Sequence, residues 1–143
     1  MDWRECTGKL LAKAVGPDPG LVKSLVKTSQ NRLISEGKLP LDIVTAGSKI
    51  SLAYDSMREL LEALALSKGY KIYNHECYTA FLKEVLGETS KGDIFDGLRR
   101  ARNKINYYGK EVSVEEAKDL LPRIRELRSF ILSLLEKSQA NPR

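Results

Sequence analysis

Residues 42–69, DIVTAGSKISLAYDSMRELLEALALSKG, decide the fold. Apolar residues recur in this stretch at intervals of three and four, which is the period of one face of an α-helix. Asp42 is of the type that caps helix N-termini, and Gly69 is of the type that ends helices. The stretch therefore predicts a long helix whose buried face carries the periodic residues, namely Ile43, Ala46, Ile50, Ala53, Met57, Leu60 and Leu64.

The rest of the chain predicts further helices around this one. Asp18 and Pro19 favour a helix start, and Ser113 to Glu116 resembles a capping box. Pro122 lies inside the last helical pattern and predicts a kink or a break there. The remaining predicted helices cover residues 3–15, 19–36, 75–87, 93–108 and 114–137, with residues 138–143 as a frayed tail.

Strand signals are almost absent. Tyr70 to Tyr73 is the one strand-like piece, and it is too short to build a sheet. The sequence therefore predicts an all-α fold, a helical bundle of five or six helices, in a single domain over residues 1–143.

Composition narrows the class of protein. The 143 residues are 42% hydrophobic and 30% charged, as in a globular domain with a core. No apolar run approaches the roughly 20 residues of a membrane span, and the N-terminus lacks a signal-peptide layout. We interpret Cys6 and Cys77 as reduced thiols of a cytoplasmic protein. One histidine, His75, is too few for histidine-rich metal chemistry, so we expect neither a metal nor a cofactor.

Most of the net charge of +5 comes from one segment. Residues 93–110 contribute +3, residues 1–92 contribute +2, and residues 111–143 contribute none. On a helical wheel of about 100° per residue, Ile94, Leu98, Ala101, Ile105 and Tyr108 form an apolar stripe. Arg99, Arg102, Asn103, Asn106 and Tyr107 fall on the opposite side.

The polar side of this segment has the chemistry of a phosphate or nucleic-acid site. A guanidinium offers planar, bidentate donors to phosphate. The amides of Asn103 and Asn106 can hold a sugar or a neighbouring side chain, and the Tyr107 phenol can stack on a base. Solvated arginines on an outward helix face are the alternative, and the spacing does not decide between the two.

Two segments together resemble a known family. Leu98 to Lys110, LRRARNKINYYGK, resembles the signature helix of the HEPN family (higher eukaryotes and prokaryotes nucleotide-binding). Ala53 to Glu59, within the long helix, and His75, which opens the next one, are also similar to that family. The resemblance extends over roughly residues 20–135.

The resemblance implies a helical bundle that forms a homodimer. Many such proteins are metal-independent ribonucleases with an Arg-x4–6-His motif that contacts the scissile phosphate. Many microbial members are toxins paired with a minimal nucleotidyltransferase antitoxin. Arg102 and Asn103 match the Arg-Asn of the motif, and Tyr107 stands at the histidine position. The resemblance thus implies Arg102 and Tyr107 as catalytic residues.

The tyrosine changes the expected chemistry. A histidine with a pKa near 6.5 exchanges protons at neutral pH, whereas a tyrosine with a pKa near 10 does so poorly. Tyr107 can still orient a phosphate as a neutral phenol. His75, at a predicted helix start, is expected to cap or pack the helix rather than act as the base. Asp55 and Glu59 lie one turn apart, and the resemblance implies that they pair with Arg99 or Arg102.

Three functions therefore remain open. The first is a dimeric protein that binds RNA or nucleotide phosphate through Arg99, Arg102, Asn103 and Asn106, with or without ribonuclease activity. The second is a catalytically inactive helical interaction module. The third is a nucleotide-binding regulator.

Overall fold

The computed structural model describes residues 1–107 and 111–140, with only the backbone of Asn106 and Tyr107. The predicted all-α helical bundle is confirmed. The elements are α1 (Trp3–Gly8), β1 (Ala12–Ala14), α2 (Pro19–Lys38), α3 (Ala46–Ser67), β2 (Tyr70–Ile72), α4 (His75–Ala80) followed by a π-helical segment (Phe81–Val85), α5 (Thr89–Tyr107) and α6 (Val114–Ala140).

Helix α3 is the centre of the bundle. Helices α2 and α6 make its most extensive contacts, and β2 and α5 also pack against it. Fourteen of its 22 residues are buried, which is more than one helix face can account for. Its polar residues must therefore find partners on the surrounding helices, since unpaired polar groups are costly to bury.

One set of polar contacts joins α2, α3 and α6. The hydroxyls of Ser29 and Ser56 each donate to the other residue's carbonyl oxygen at 2.7 Å. Arg128 donates through Nε to Ser56 Oγ at 2.7 Å and through Nη2 to Ser29 Oγ at 3.2 Å. Arg128 is buried, and burial lowers its pKa. The two serine hydroxyl oxygens thus accept hydrogen bonds that water would accept from an exposed guanidinium.

A second set closes the C-terminal end of α2. Lys49 is buried and donates to the carbonyl oxygens of Glu36 and Leu39, both at 2.7 Å. Its Nζ also lies 3.4 Å from the Glu36 carboxylate, which Arg125 of α6 contacts as well. A cation at a helix C-terminus satisfies the last carbonyls and opposes the helix dipole.

The predicted first helix is wrong beyond Gly8. The chain turns at Leu10, which has a φ of 57°, and then forms β1. Strand β1 pairs antiparallel with β2, so the expectation that Tyr70 to Tyr73 forms no sheet is also wrong. Gly69, with a φ of 92°, ends α3 and turns the chain into β2. The partner strand was missed because three residues are too few to show a period of two.

The interpretation of the two cysteines as reduced thiols is also wrong. Cys6 of α1 and Cys77 of α4 form a disulfide, with Cα atoms 6.0 Å apart and a sequence separation of 71. Both residues are fully buried. Sequence spacing alone gives no pairing, because the two residues become neighbours only when α1 packs against α4.

Other boundaries differ by about a turn. Helix α3 begins at Ala46 because Asp42 accepts bonds from the amides of Val44 and Thr45, which makes residues 42–45 a turn. Helix α5 begins at Thr89 rather than at residue 93.

The last helix is longer than predicted. Helix α6 runs through Pro122 to Ala140, so there is no break at the proline, and residues 138–140 are helical rather than frayed. Buried Leu121 and Ile124 hold it to the core beside the proline. Ser113 Oγ accepts from the Glu116 amide, which confirms the predicted cap. Tyr108 and residues 141–143 lie outside the described residues.

A membrane-spanning helix was not expected, and none of the described helices has both the length and the apolar character to cross a bilayer.

We expect the disulfide to make a large contribution to stability. By loop-closure entropy, a link across about 70 residues restricts the unfolded chain by about 4 kcal/mol. Urea unfolding of the wild-type protein with and without dithiothreitol should show that the free energy of unfolding falls by this amount when the disulfide is reduced. The Cys6→Ser/Cys77→Ser variant should be insensitive to the reductant. Equal wild-type midpoints in the two conditions would contradict a disulfide between α1 and α4.

We expect Ser56→Ala to destabilise the fold by about 1–3 kcal/mol, because it leaves Nε of buried Arg128 without its acceptor. Ser48→Ala, at an exposed position of the same helix, is the matched control and should stay within about 0.5 kcal/mol of wild type. Chemical denaturation measures both. Equal effects of the two substitutions would show that the serine–arginine contacts add nothing.

Candidate functional site

The orientation of α5 differs from the prediction. Phe95 is fully buried and Leu98 is 2% exposed, whereas Ile94 is 38% exposed. Phe95 falls between Arg99 and Arg102 on the helical wheel, so the buried side of α5 includes the side predicted to be polar. The side chains of Arg99 and Arg102 are only 15% and 17% exposed. The two arginines thus face the bundle rather than solvent.

Three arginines surround His75. Arg99 and Arg102 come from α5, Arg58 comes from α3, and His75 is the first residue of α4. Tyr54 links two of them, since its ring lies 5.1 Å from the Arg102 guanidinium and its hydroxyl lies 3.5 Å from Nδ1 of His75. The charges of all three guanidinium groups disfavour the protonated imidazole. We call these four residues the arginine–histidine cluster.

Aromatic rings form the inner wall of the cluster. Tyr54 is fully buried; its ring lies 5.1 Å from the Arg102 guanidinium and stacks on Phe95 at 6.2 Å between centroids. The Tyr54 hydroxyl lies 3.5 Å from Nδ1 of His75. Tyr78 contacts both His75 and Phe95. The rings exclude water from one side of the cluster, which strengthens electrostatic interactions there.

Each arginine also has a carboxylate partner. Arg99 donates to Asp96 at 2.9 Å, which Arg100 also contacts. A second pair joins Arg102 to Asp55 at 3.4 Å. Arg58 lies 3.4 Å from Glu62. The carboxylates fix the positions of the guanidinium groups.

The pKa values follow from burial and from these charges. Burial, followed by the charges of Arg58 and Arg102, lowers the pKa of His75 to about 4. Burial raises the pKa of Tyr54 to about 12, although the same arginines oppose the rise. Burial alone would raise the pKa of Asp96, but hydrogen bonds from Arg100 and Arg99 outweigh it and lower that pKa. At neutral pH the cluster therefore contains a neutral imidazole and charged guanidinium groups, and the adjacent Tyr54 phenol is neutral.

The structure brings some of the predicted site residues together and separates others. Arg99, Arg102 and Asp55 lie together. Glu59 lies on the side of α3 that faces α2, where its carboxylate contacts Arg32 and Thr28. The pairing expected for Glu59 is therefore replaced by one with α2.

The remaining predicted residues lie toward the end of α5. Asn103 is half-buried. The side chains of Asn106 and Tyr107 lie outside the described part of the chain, so the predicted catalytic role of Tyr107 stays a prediction.

Arg58 and Tyr54 were not assigned a role from the sequence. A signal was present, because Tyr54, Asp55 and Arg58 stand three and four residues apart and share one side of a helix. Helical spacing alone does not tell which neighbour such a polar stripe meets. Here it meets α4 and α5.

A cavity of about 620 Å³ opens beside Arg99, between the N-terminus, α4 and α5. Its lining includes Asp2, Glu76, Glu84, Asp93 and Asp96 against Lys83, Arg99 and Arg100. This excess of carboxylates disfavours a phosphate in the cavity. In residues 1–107 and 111–140, no group of three or more His, Cys, Asp or Glu residues is placed to hold a metal ion.

No protein-family model matches this chain, and no significant match exists among curated proteins or solved structures. The helical fold and the arginine–histidine cluster therefore stand on the structure alone. The HEPN resemblance stays a prediction from the sequence.

We expect His75 to titrate near pH 4 in the folded protein, against about 6.5 when unfolded. Between these values the unfolded chain binds more protons, so stability is full above pH 6.5 and falls as the pH drops toward 4. The imidazole Hε1 shift in an NMR titration measures the pKa directly.

The Arg58→Gln variant tests the cause. Removal of one of the cations facing His75 should raise its pKa toward 6.5. Arg123→Gln, at an exposed position of α6, should leave the titration unchanged. A wild-type midpoint near 6.5 would mean that His75 is neither buried nor close to the arginines.

Proposed function

We propose that this protein is an HEPN-like helical protein that binds RNA or nucleotide phosphate at the arginine–histidine cluster. The observation that carries the proposal is the grouping of arginines near His75, with the Arg102 guanidinium 5.1 Å from the Tyr54 ring and the Tyr54 hydroxyl 3.5 Å from Nδ1 of His75. Guanidinium groups held in place recognise phosphate oxygens through paired donors. The ordered resemblance to HEPN segments over Ala53–Glu59 and Leu98–Lys110 supports the same function.

Binding is better supported than rapid cleavage. A general base works best with a pKa near the working pH. The pKa of His75 is about 4, and a tyrosine without nearby charges has a pKa near 10. Both candidate bases are thus poorly matched to neutral pH. We propose that binding is the main activity. Ribonuclease activity should be weak, because neither candidate base has a pKa near neutral pH.

The local charge balance favours an anion only modestly. Asp55, Glu62 and Asp96 offset three of the four positive charges on Arg58, Arg99, Arg100 and Arg102. A phosphate therefore competes with carboxylates for the guanidinium donors. Such a site favours a doubly charged phosphate group, or several phosphates along one strand, over a single weak anion.

Partners and location are part of the proposal. The HEPN resemblance supports a homodimer, a toxin-like role and a minimal nucleotidyltransferase as the partner protein. We propose the cytoplasm as the location, where RNA is abundant. Disulfides are rare in reducing compartments, but full burial of Cys6 and Cys77 limits attack on this one by small thiols.

A second function is favoured by one observation. Arg58, Arg99 and Arg102 are already ion-paired within the chain, as expected if the cluster only holds α3, α4 and α5 together. In that case the protein is a catalytically inactive interaction module.

We expect Arg102→Ala to weaken RNA binding about tenfold or more, since charge-assisted bonds to phosphate are lost. The salt dependence of binding should also fall, by about 0.7 in log–log slope for one phosphate contact on a single strand. Arg123→Ala, at an exposed position of α6, is the matched control. Fluorescence anisotropy with a labelled single-stranded RNA, at several salt concentrations, measures both.

Two further readouts separate binding from a structural role. A phosphate beside His75 should raise its pKa in the NMR titration, since an anion favours the imidazolium. The free energy of unfolding should change much less than binding in Arg102→Ala. Salt-insensitive binding, or loss of folding in this variant with no effect of RNA on His75, would support the interaction module instead.

Tyr107→His addresses catalysis. If the geometry of the HEPN-like site is retained, a histidine with a pKa near 6.5 should increase RNA cleavage in the absence of metal ions. Tyr107→Phe is the control and should not cleave. A gel assay of an end-labelled RNA with excess EDTA detects the products. No gain in cleavage would argue against a retained ribonuclease site.

A further inference from the structure

A second feature lies on the two-stranded ribbon of β1 and β2. Lys13 and Lys71 are directly opposite each other in the antiparallel register. Like charges at opposed positions destabilise a sheet, because their side chains stand only about 5 Å apart at Cβ. The ribbon is only three residue pairs long, so this pair is a considerable part of it.

The same face carries an exposed aromatic ring. Tyr73 is 51% exposed, two residues after Lys71, and therefore on the same side of the ribbon. Lys13 Nζ lies 5.5 Å and Lys71 Nζ lies 5.9 Å from the centre of its ring. We call Lys13, Lys71 and Tyr73 the ribbon patch.

The ribbon is uniformly basic. Its paired residues, 12–14 and 70–72, contain two lysines and no acidic residue. Within the described residues, neither Lys13 nor Lys71 forms a salt bridge. Two cations without counter-ions around an exposed ring are complementary to a chain that alternates phosphates with flat bases.

The patch is adjacent to the arginine–histidine cluster. Only Asn74 separates Tyr73 from His75, so their Cα atoms are at most about 7 Å apart. Asn74 caps α4 by accepting from the Glu76 amide, which fixes the direction in which the chain passes from the ribbon to the cluster.

We propose that the ribbon patch is a second contact for single-stranded nucleic acid, with a base stacked on Tyr73 and phosphates at Lys13 and Lys71. This inference rests on the proposed function, because the strand is taken to continue from the arginine–histidine cluster. It narrows the ligand to an oligonucleotide, since a mononucleotide reaches only one of the two sites.

The test measures binding of labelled oligouridylates of two and twelve nucleotides by fluorescence anisotropy. Their riboses are 2′-O-methylated, so that cleavage through the 2′-hydroxyl cannot occur. Tyr73→Ala should weaken binding of the twelve-nucleotide strand about tenfold, as expected for loss of one stacking ring, and Tyr73→Phe should retain it. Lys13→Ala/Lys71→Ala should lower the log–log salt slope by about 1.4. Binding of the dinucleotide should weaken less in both cases, because its two nucleotides can occupy the arginine–histidine cluster alone.

Matched controls isolate the patch. Lys23→Ala/Lys27→Ala removes the same charge from exposed positions of α2 and should have little effect on the salt slope. Oligodeoxythymidylate in place of the RNA probe tells whether the patch needs ribose; equal binding supports recognition of any single strand. Circular dichroism of each variant confirms that the fold is retained.

The two proposals fail in different ways. If Arg102→Ala weakens both oligonucleotides and the ribbon variants weaken neither, the ribbon patch is overturned and the proposed function stands. If only the ribbon variants weaken binding, the patch stands and the arginine–histidine cluster is not the RNA site. No binding of the wild-type protein to either strand overturns both.

Two other results would also overturn the ribbon patch. One is a loss of binding to vesicles of phosphatidylcholine and phosphatidylserine in the ribbon variants, with oligonucleotide binding unchanged, since the surface would then serve a membrane. The other is self-association of Lys13→Ala/Lys71→Ala with unchanged binding. The lysines would then only keep the open edges of the ribbon from pairing.

Discussion

Burial of α3 is the constraint on which the rest of the structure depends. A helix enclosed by neighbours cannot leave its polar side chains to water, so each needs a partner on another element. Ser56 meets Ser29 and Arg128, and Lys49 closes the end of α2. These contacts fix how α2 and α6 lie against α3, because hydrogen bonds demand specific distances where apolar packing alone would tolerate sliding.

The same constraint builds the candidate site on the other side of α3. Tyr54 and Asp55 both contact Arg102 of α5. The Tyr54 ring faces the guanidinium, and the Asp55 carboxylate forms an ion pair with it. His75, the first residue of α4, lies next to the Tyr54 hydroxyl. The Cys6–Cys77 disulfide links α4 to α1. The low pKa of His75 results first from burial of the imidazole and then from the charges of the nearby arginines. The site is thus a product of helix packing.

Much of the fold could be predicted, because helical spacing and capping are local. The helix over residues 46–67 and the cap at Ser113 could both be predicted from residues close together in the chain. The errors arose where local signals were weak or ambiguous. Three-residue strands carry no recognisable period. In α5 the buried side includes Phe95 rather than Ile94, which turns it by about one residue, or 100°, from the predicted side.

The sequence by itself determined the helical class, most helix positions and the concentration of charge on α5, since these depend on residue type and spacing. Only the tertiary structure decided that Arg99 and Arg102 face inward, that Arg58 and His75 join them, and that Glu59 belongs to α2 instead. It also paired Cys6 with Cys77 and Lys13 with Lys71. Such pairings join residues distant in the chain, and they depend on how helices pack in three dimensions rather than on any pattern within a single segment.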